Sequence, residues 1–145
     1  CDVRVASAHA TFAESFLRLG LVSGIGGAWF LTRLVGQAKA LELTLTSEFI
    51  DAQTALQLGL VSRVVEPAAL DEVSAALARR IAANPPQALR MAKRLVLDAA
   101  ESTLPIALEA AAAMQAILLC GDGDKVALRE FLARRSRRDT VAGTA

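Results

Sequence analysis

A chain of 145 residues has room for one domain with a core of its own, and 54% apolar against 21% charged residues exclude a disordered or strongly solvated polymer. A formal net charge of +1 argues against nucleic acid as a partner, and Arg, Lys, Glu or Gly breaks every apolar run short of bilayer length, so no membrane association is expected. Two distant cysteines, Cys1 and Cys120, and a single histidine, His9, offer no metal-ligand or disulfide spacing; reduced thiols and a cytoplasmic location are expected.

Residues 3–7 alternate apolar and polar and predict a strand, with Val3 and Val5 on one face. His9 lies between Ala8 and Ala10 in what reads as a turn, a structural setting. Residues 12–21 suit either a short strand or a turn of helix. From Gly27, the spacing of Trp29, Phe30, Leu31, Leu34 and Val35 predicts a helix that Gly36 ends. A second helix is predicted over 37–45, then an extended link over 47–51. Asp51 is a suitable N-cap for a short helix over 52–58, ended by Gly59. Residues 60–65 give the clearest strand signal. Asp71 and Glu72 mark the first turn of a long helix reaching about residue 83. Asn84-Pro85-Pro86 breaks it. Ala88, Leu89, Met91, Ala92, Leu95 and Val96 mark the next helix, with Arg90, Lys93 and Arg94 on its polar edge. A further helix begins near Pro105 and runs through Leu118. Gly121-Asp122-Gly123-Asp124 ends it and opens a last helix over 125–135. The Arg134-Arg135-Ser136-Arg137-Arg138 cluster reads as a solvated, frayed tail.

Glycine is concentrated in one place, between Gly20 and Gly27, ahead of the helix that opens at Gly26 or Gly27. Such a loop either makes a tight connection or brings helix-start N–H groups against an anionic or polarised group. Two or three short strands cannot form an adequate sheet alone, so further strands are expected upstream of Cys1.

The order of elements, together with Cys1-Asp2-Val3-Arg4-Val5-Ala6-Ser7, Gly20-Leu21-Val22, Gly26-Gly27-Ala28-Trp29, Arg33-Leu34-Val35-Gly36, Ala40-Leu41-Glu42-Leu43, Ala55-Leu56-Gln57-Leu58-Gly59-Leu60-Val61, Ala82-Ala83-Asn84-Pro85-Pro86-Gln87-Ala88-Leu89, Lys93-Arg94 and Glu130-Phe131-Leu132, resembles the C-terminal part of the enoyl-CoA hydratase/isomerase (crotonase) superfamily. The resemblance is collinear from Cys1 to about Arg135. It implies an α/β fold: the C-terminal portion of a crotonase-like ββα spiral, with a few short strands followed by a helical trimerisation region. The implied division is 1–66 for the truncated end of the ββα core, 67–135 for the helical region and 136–145 for the tail. The implied assembly is a homo-trimer or hexamer at full length.

The same resemblance implies an enzyme, a lyase or isomerase of fatty-acid or related acyl-CoA metabolism. Its substrate is an acyl-CoA thioester, with coenzyme A as part of that substrate and no separate cofactor. Backbone N–H donors stabilise an enolate-like oxygen, and a carboxylate moves protons at Cα or Cβ. Both donor segments would precede Cys1. The usual acid/base positions fall on Phe16 and Ile25, neither of which titrates. Glu14 is the nearby acid. If the segment is extended, Glu14 and Phe16 project to one side and Glu14 serves as the catalytic carboxylate; otherwise it is a surface residue at a strand end. Phe16, Leu19, Ile25, Gly26, Gly27 and Trp29 are assigned to the substrate pocket, with the apolar four equally able to be core. Phe131 and Arg134, three apart on one helix face, fall on positions that hold the adenine and phosphates of CoA; read without the resemblance, they are a core aromatic and a solvated arginine. The alternatives to catalysis are a catalytically silent acyl-CoA-binding or oligomerising remnant and an unrelated helical interaction domain.

Overall fold

The backbone between Arg4 and Val65 is drawn together by a short parallel ladder. In the computed structural model, which describes residues 1–120, β1 (Val5–Ser7) pairs with β4 (Arg63–Val65), placing Val5 opposite Arg63, Ala6 opposite Val64 and Ser7 opposite Val65. The ladder is extended at both ends, where Ser62 N–H donates to the Arg4 carbonyl (2.8 Å) and Ala8 N–H to that of Val65 (2.7 Å). The Arg4 guanidinium also reaches across to the Leu60 carbonyl. A second pair, β2 (Thr11–Phe12) with β3 (Ile50–Asp51), is antiparallel and sets Phe12 opposite Ile50.

Both predicted strands are shorter than the sequence pattern suggested. The apolar run over 60–65 enters the ladder only at Arg63 because its first residues are tied to a helix end. The N–H groups of Leu60 and Val61 both donate to the Ala55 carbonyl (2.9 and 3.3 Å), and Gly59 N–H donates to that of Leu56. These bonds close the C-terminus of α3 (Ala52–Gln57). At its other end Asp51 is the expected N-cap, accepting the Thr54 N–H at 2.7 Å. This anchored helix supplies the centre of the core: Ala55 is fully buried and packs with Ala6 and Val61.

Of the two alternatives for the stretch after Phe12, a turn of helix is the one present, of 3-10 type. β2 stops at Phe12, and a 3-10 turn runs over Phe16–Leu19, closed by Gly20 at φ 69°, with Gly20 N–H on the Leu17 carbonyl and Leu21 N–H on that of Phe16. Two helices follow, α1 (Gly27–Val35) and α2 (Gln37–Thr46), which pack on each other; α2 buries Ala40 and Leu43. They meet at Gly36, which ends one helix and opens the next.

The chain forms two compact units, Cys1–Leu77 and the residues from Ala78 onward. The elements so far described belong to the first. A 3-10 turn, Pro67–Ala69, leads into α4 (Leu70–Ala82), whose first turn carries Asp71 and Glu72 as expected. In the second unit α5 (Pro86–Ala99) begins directly behind Pro85 and packs on α6 (Leu104–Cys120). The half-buried side chains of α6 (Ala107, Ala110, Ala111, Met114 and Leu118) recur at helical intervals along one face. The α/β character, helices with a few short strands, is the one predicted. The expected helix over 125–135 and tail over 136–145 lie outside the described residues.

Candidate active site

The site is assembled where β2, β3 and the two following helices converge. Cross-strand pairing brings Phe12 and Ile50 side by side. Leu31 of α1, Leu43 of α2 and Leu60, held by the α3 C-terminus, close around them to form an open-mouthed cavity of about 120 Å³. Ala13 and Glu14 complete the lining. Glu14 is thus the titratable group in an otherwise apolar wall.

The carboxylate of Glu14 is placed by the loop that follows it. Gly26 is the N-cap of α1 with φ 87°, a left-handed conformation that a side chain disfavours, and its carbonyl accepts the Phe30 N–H at 3.0 Å. The N–H groups of Ala28 and Trp29 therefore precede the helical ladder, at the positive end of the helix dipole. Gly27, the first helical residue, donates its N–H to the Ser23 hydroxyl oxygen at 3.2 Å. A methyl group on Gly27 would stand 2.3 Å from Ser23 Oγ and 3.0 Å from each Glu14 carboxylate oxygen. The absent side chain is what lets the carboxylate approach the helix start. Glu14 Oε1 is buried there and accepts no hydrogen bond. Buried polar atoms are normally paired, so an orphaned carboxylate oxygen beside a cavity marks a place where a donor belongs.

The predicted residues divide around this point. Glu14, Gly26 and Gly27 come together at the start of α1. Phe16 sits half-buried in the 3-10 turn, so the strand alternation that would have aligned it with Glu14 does not exist. Leu19 and Ile25 are 75% and 82% exposed. Trp29, 48% exposed, stacks edge-on to Phe30 with ring centroids 4.9 Å apart and carries the Arg33 guanidinium over its face at 3.5 Å. Phe131 and Arg134 lie outside the described residues. His9 occupies the expected turn, its N–H donating to Ser7 Oγ at 3.2 Å. Among the described residues no three His, Cys, Asp or Glu side chains converge as metal ligands, and no helix is long and apolar enough to cross a membrane.

Sequence reasoning missed Phe12, Leu31, Leu43, Ile50 and Leu60 as cavity wall, and Ser23 as the Gly27 partner. The wall residues come from separate elements and share no local motif. Ser23 did carry a signal, as a hydroxyl residue four positions ahead of the first helical N–H.

A family model described as Enoyl-CoA hydratase/isomerase matches residues 1–138. A short-chain-enoyl-CoA hydratase of Clostridioides difficile is 45% identical over 104 residues, which is 72% of this chain and 67% of that protein. A 1,2-epoxyphenylacetyl-CoA isomerase of Escherichia coli K12 is 30% identical over 139 residues, 96% of this chain and 53% of the other. Among solved structures, an enoyl-CoA hydratase subunit I of Geobacillus kaustophilus HTA426 superposes with a TM-score of 0.87 at 36% identity, covering 92% of this chain and 52% of that one. The chain therefore spans about half the length of two of these three.

Proposed function

The chain belongs to the enoyl-CoA hydratase/isomerase family, and from that premise we propose that it takes part in hydratase- or isomerase-type processing of an acyl-CoA thioester, with Glu14 as the acid/base group. The observation that carries this reading is the Glu14 carboxylate: it lines an apolar cavity, one of its oxygens is buried without a partner, and the start of α1 lies against it. Hydration and double-bond migration both pass through an enolate-like thioester. Each needs a base to take a proton at Cα, or from an attacking water, and an acid to return one. A carboxylate in an apolar wall, with one oxygen unpartnered, has a lone pair to spare for that proton.

The remaining parts of the reading follow the family resemblance. The enolate oxygen is held by two backbone N–H donors from segments equivalent to positions before Cys1. Gly26 and Gly27 form the backbone wall of the substrate pocket, while Phe16, Leu19, Ile25 and Trp29 supply apolar surface that the acyl chain covers. Phe131 and Arg134 hold the CoA moiety, no cofactor is needed beyond it, and subunits assemble as trimers or hexamers in the cytoplasm. The helices from α4 onward form the trimerisation region of a longer ββα spiral. The exposed Leu104, Ile106, Leu108, Ile117 and Leu119 of α6 support that assembly, because a helix apolar on every side needs more cover than one neighbour gives.

The test is turnover of crotonyl-CoA and of a 3-enoyl-CoA by the chain joined to the donor segments that the family places before Cys1, and by the same protein carrying Glu14→Gln. A loss of about 10²–10⁴-fold in kcat with the carboxamide supports the role. Equal turnover removes Glu14 from the mechanism, and no turnover by the parent removes the enzymatic reading. A second reading, an acyl-CoA-binding remnant without chemistry, is favoured by the apolar Phe16 and by Ile25, which points to solvent at 82% exposure. Calorimetric binding of crotonyl-CoA without turnover would select it.

A further inference from the structure

The residues around the cavity differ in how far they are withdrawn from solvent, and that difference gives it a mouth and a floor. Ala13 is exposed, Phe12, Glu14, Leu31, Ile50 and Leu60 are half-buried, and Leu43 is buried at 7% exposure. Leu43 lies on the inner face of α2, so the cavity ends against the packed core there. Apart from the Glu14 carboxylate the lining offers no polar side chain. A hydroxyl or charged group pushed inward would lose its water without finding a partner, whereas a hydrocarbon gains burial. Size sets a second limit. A cavity of about 150 Å³ lined by Leu, Ile and Phe side chains holds benzene. By proportion, a cavity of about 120 Å³ with the same kind of lining has room for about four or five carbons.

We propose that Leu43 is the specificity-determining residue of the acyl site. The tail beyond the thioester carbonyl enters the cavity that Glu14 lines and stops against the Leu43 side chain, which restricts the substrate to a short, uncharged hydrocarbon tail. The proposal deepens the acyl-CoA reading and rests on it for the identity of the ligand, but the limit on length does not depend on Glu14 acting as acid or base. Longer tails leave their added carbons outside, where those carbons gain no further burial. Leu31 and Leu60 shape the sides, and neither is withdrawn far enough to end the cavity.

The experiment is an NMR titration of the chain, ¹³C-labelled at its leucine methyl groups, with acyl thioesters of N-acetylcysteamine from acetyl to decanoyl. These carry the thioester and its tail without the nucleotide. The Leu43 signals are assigned by their disappearance in Leu43→Val. In the parent, the Leu43 methyls shift on binding, and affinity rises about fourfold with each added methylene. The rise stops at about pentanoyl or hexanoyl. In Leu43→Ala the break moves to tails longer by about three carbons, the number removed. A succinyl tail, which ends in a carboxylate, binds no better than acetyl. Absence of binding, affinity that keeps rising to decanoyl, a break that stays in place in Leu43→Ala, or succinyl binding as tight as butyryl overturns the proposal. Should Leu43→Ala fail to fold, Leu43→Val carries the test: the break moves by about one carbon, and an unmoved break overturns the assignment. These readouts are of binding alone, while turnover by Glu14→Gln reports on the acid/base reading, so either can fail while the other stands.

Discussion

The Arg18 guanidinium donates from Nη2 to the Ser47 carbonyl at 2.7 Å and lies over the Phe49 ring, 5.4 Å from its centroid. One side chain thus ties the 3-10 turn that follows the site to the end of α2, where Ser47 is buried in a left-handed conformation at φ 52°. Lysine keeps the charge but has neither the planar face nor the reach of the fork. Arg18→Lys is expected to lower the unfolding free energy by about 1 kcal/mol and Arg18→Ala by about 1–2 kcal/mol, read as a fall in the urea midpoint with unchanged slope.

Two adjacent glycines fail for different reasons. In Gly26→Ala the φ of 87° strains the new residue and its methyl meets Phe30 Cε2 at 3.2 Å, so stability falls by about 1–2 kcal/mol. In Gly27→Ala no left-handed strain arises, and the methyl displaces two movable side-chain ends, Ser23 Oγ and the Glu14 carboxylate. On the proposed acid/base reading of Glu14, thermal melting is expected to change little while turnover falls at least about tenfold, roughly the loss expected when a catalytic group leaves its working position. Comparing melting and turnover in the two variants separates scaffold from site.

The Thr54 backbone N–H, followed by the Thr54 side chain, holds the Asp51 carboxyl below the usual carboxylate range, with slight opposition from desolvation. A folded-state value below the unfolded one contributes stability above the unfolded value, and that contribution disappears as pH falls through the folded value. Asp51→Ala is therefore expected to melt at a lower temperature than the parent near about pH 7. The difference should narrow at acid pH, as the pH falls through the folded value and Asp51 becomes protonated in both states. Paired melting curves at the two pH values check the sign.

Ala55 has no accessible surface and touches Ala6 and Val61, so the centre of the first unit is packed with small residues. Ala55→Leu inserts three carbons where none fit and should cost about 1–3 kcal/mol. Val61→Ala empties the same spot and should cost about 1–3 kcal/mol, by denaturant titration.

Helices were legible because each carried its own period and stops: Gly36 after Val35, Asp51 before Ala52, and Pro85 before α5 mark ends that the structure keeps. Glu14 could be named because it is the acid near two apolar positions where the resemblance expects carboxylates. Its surroundings could not. The cavity wall takes Phe12 from a two-residue strand, Ile50 from its partner and Leu31 and Leu43 from successive helices, a convergence that depends on pairings between distant residues. The turn over Phe16–Leu19 was hidden for another reason. Its apolar residues satisfy strand and helix periods equally over so few positions.

The parallel pairing of Val5 with Arg63 has a kinetic consequence. Everything between them, including α1, α2 and α3, forms from nearer neighbours, whereas this ladder must wait for a long loop to close before any of its bonds is made. Its formation is expected to set the folding rate of the first unit. Weakening it through Val64→Ala should slow refolding more than it speeds unfolding, and a change confined to the unfolding arm would place the ladder after the barrier.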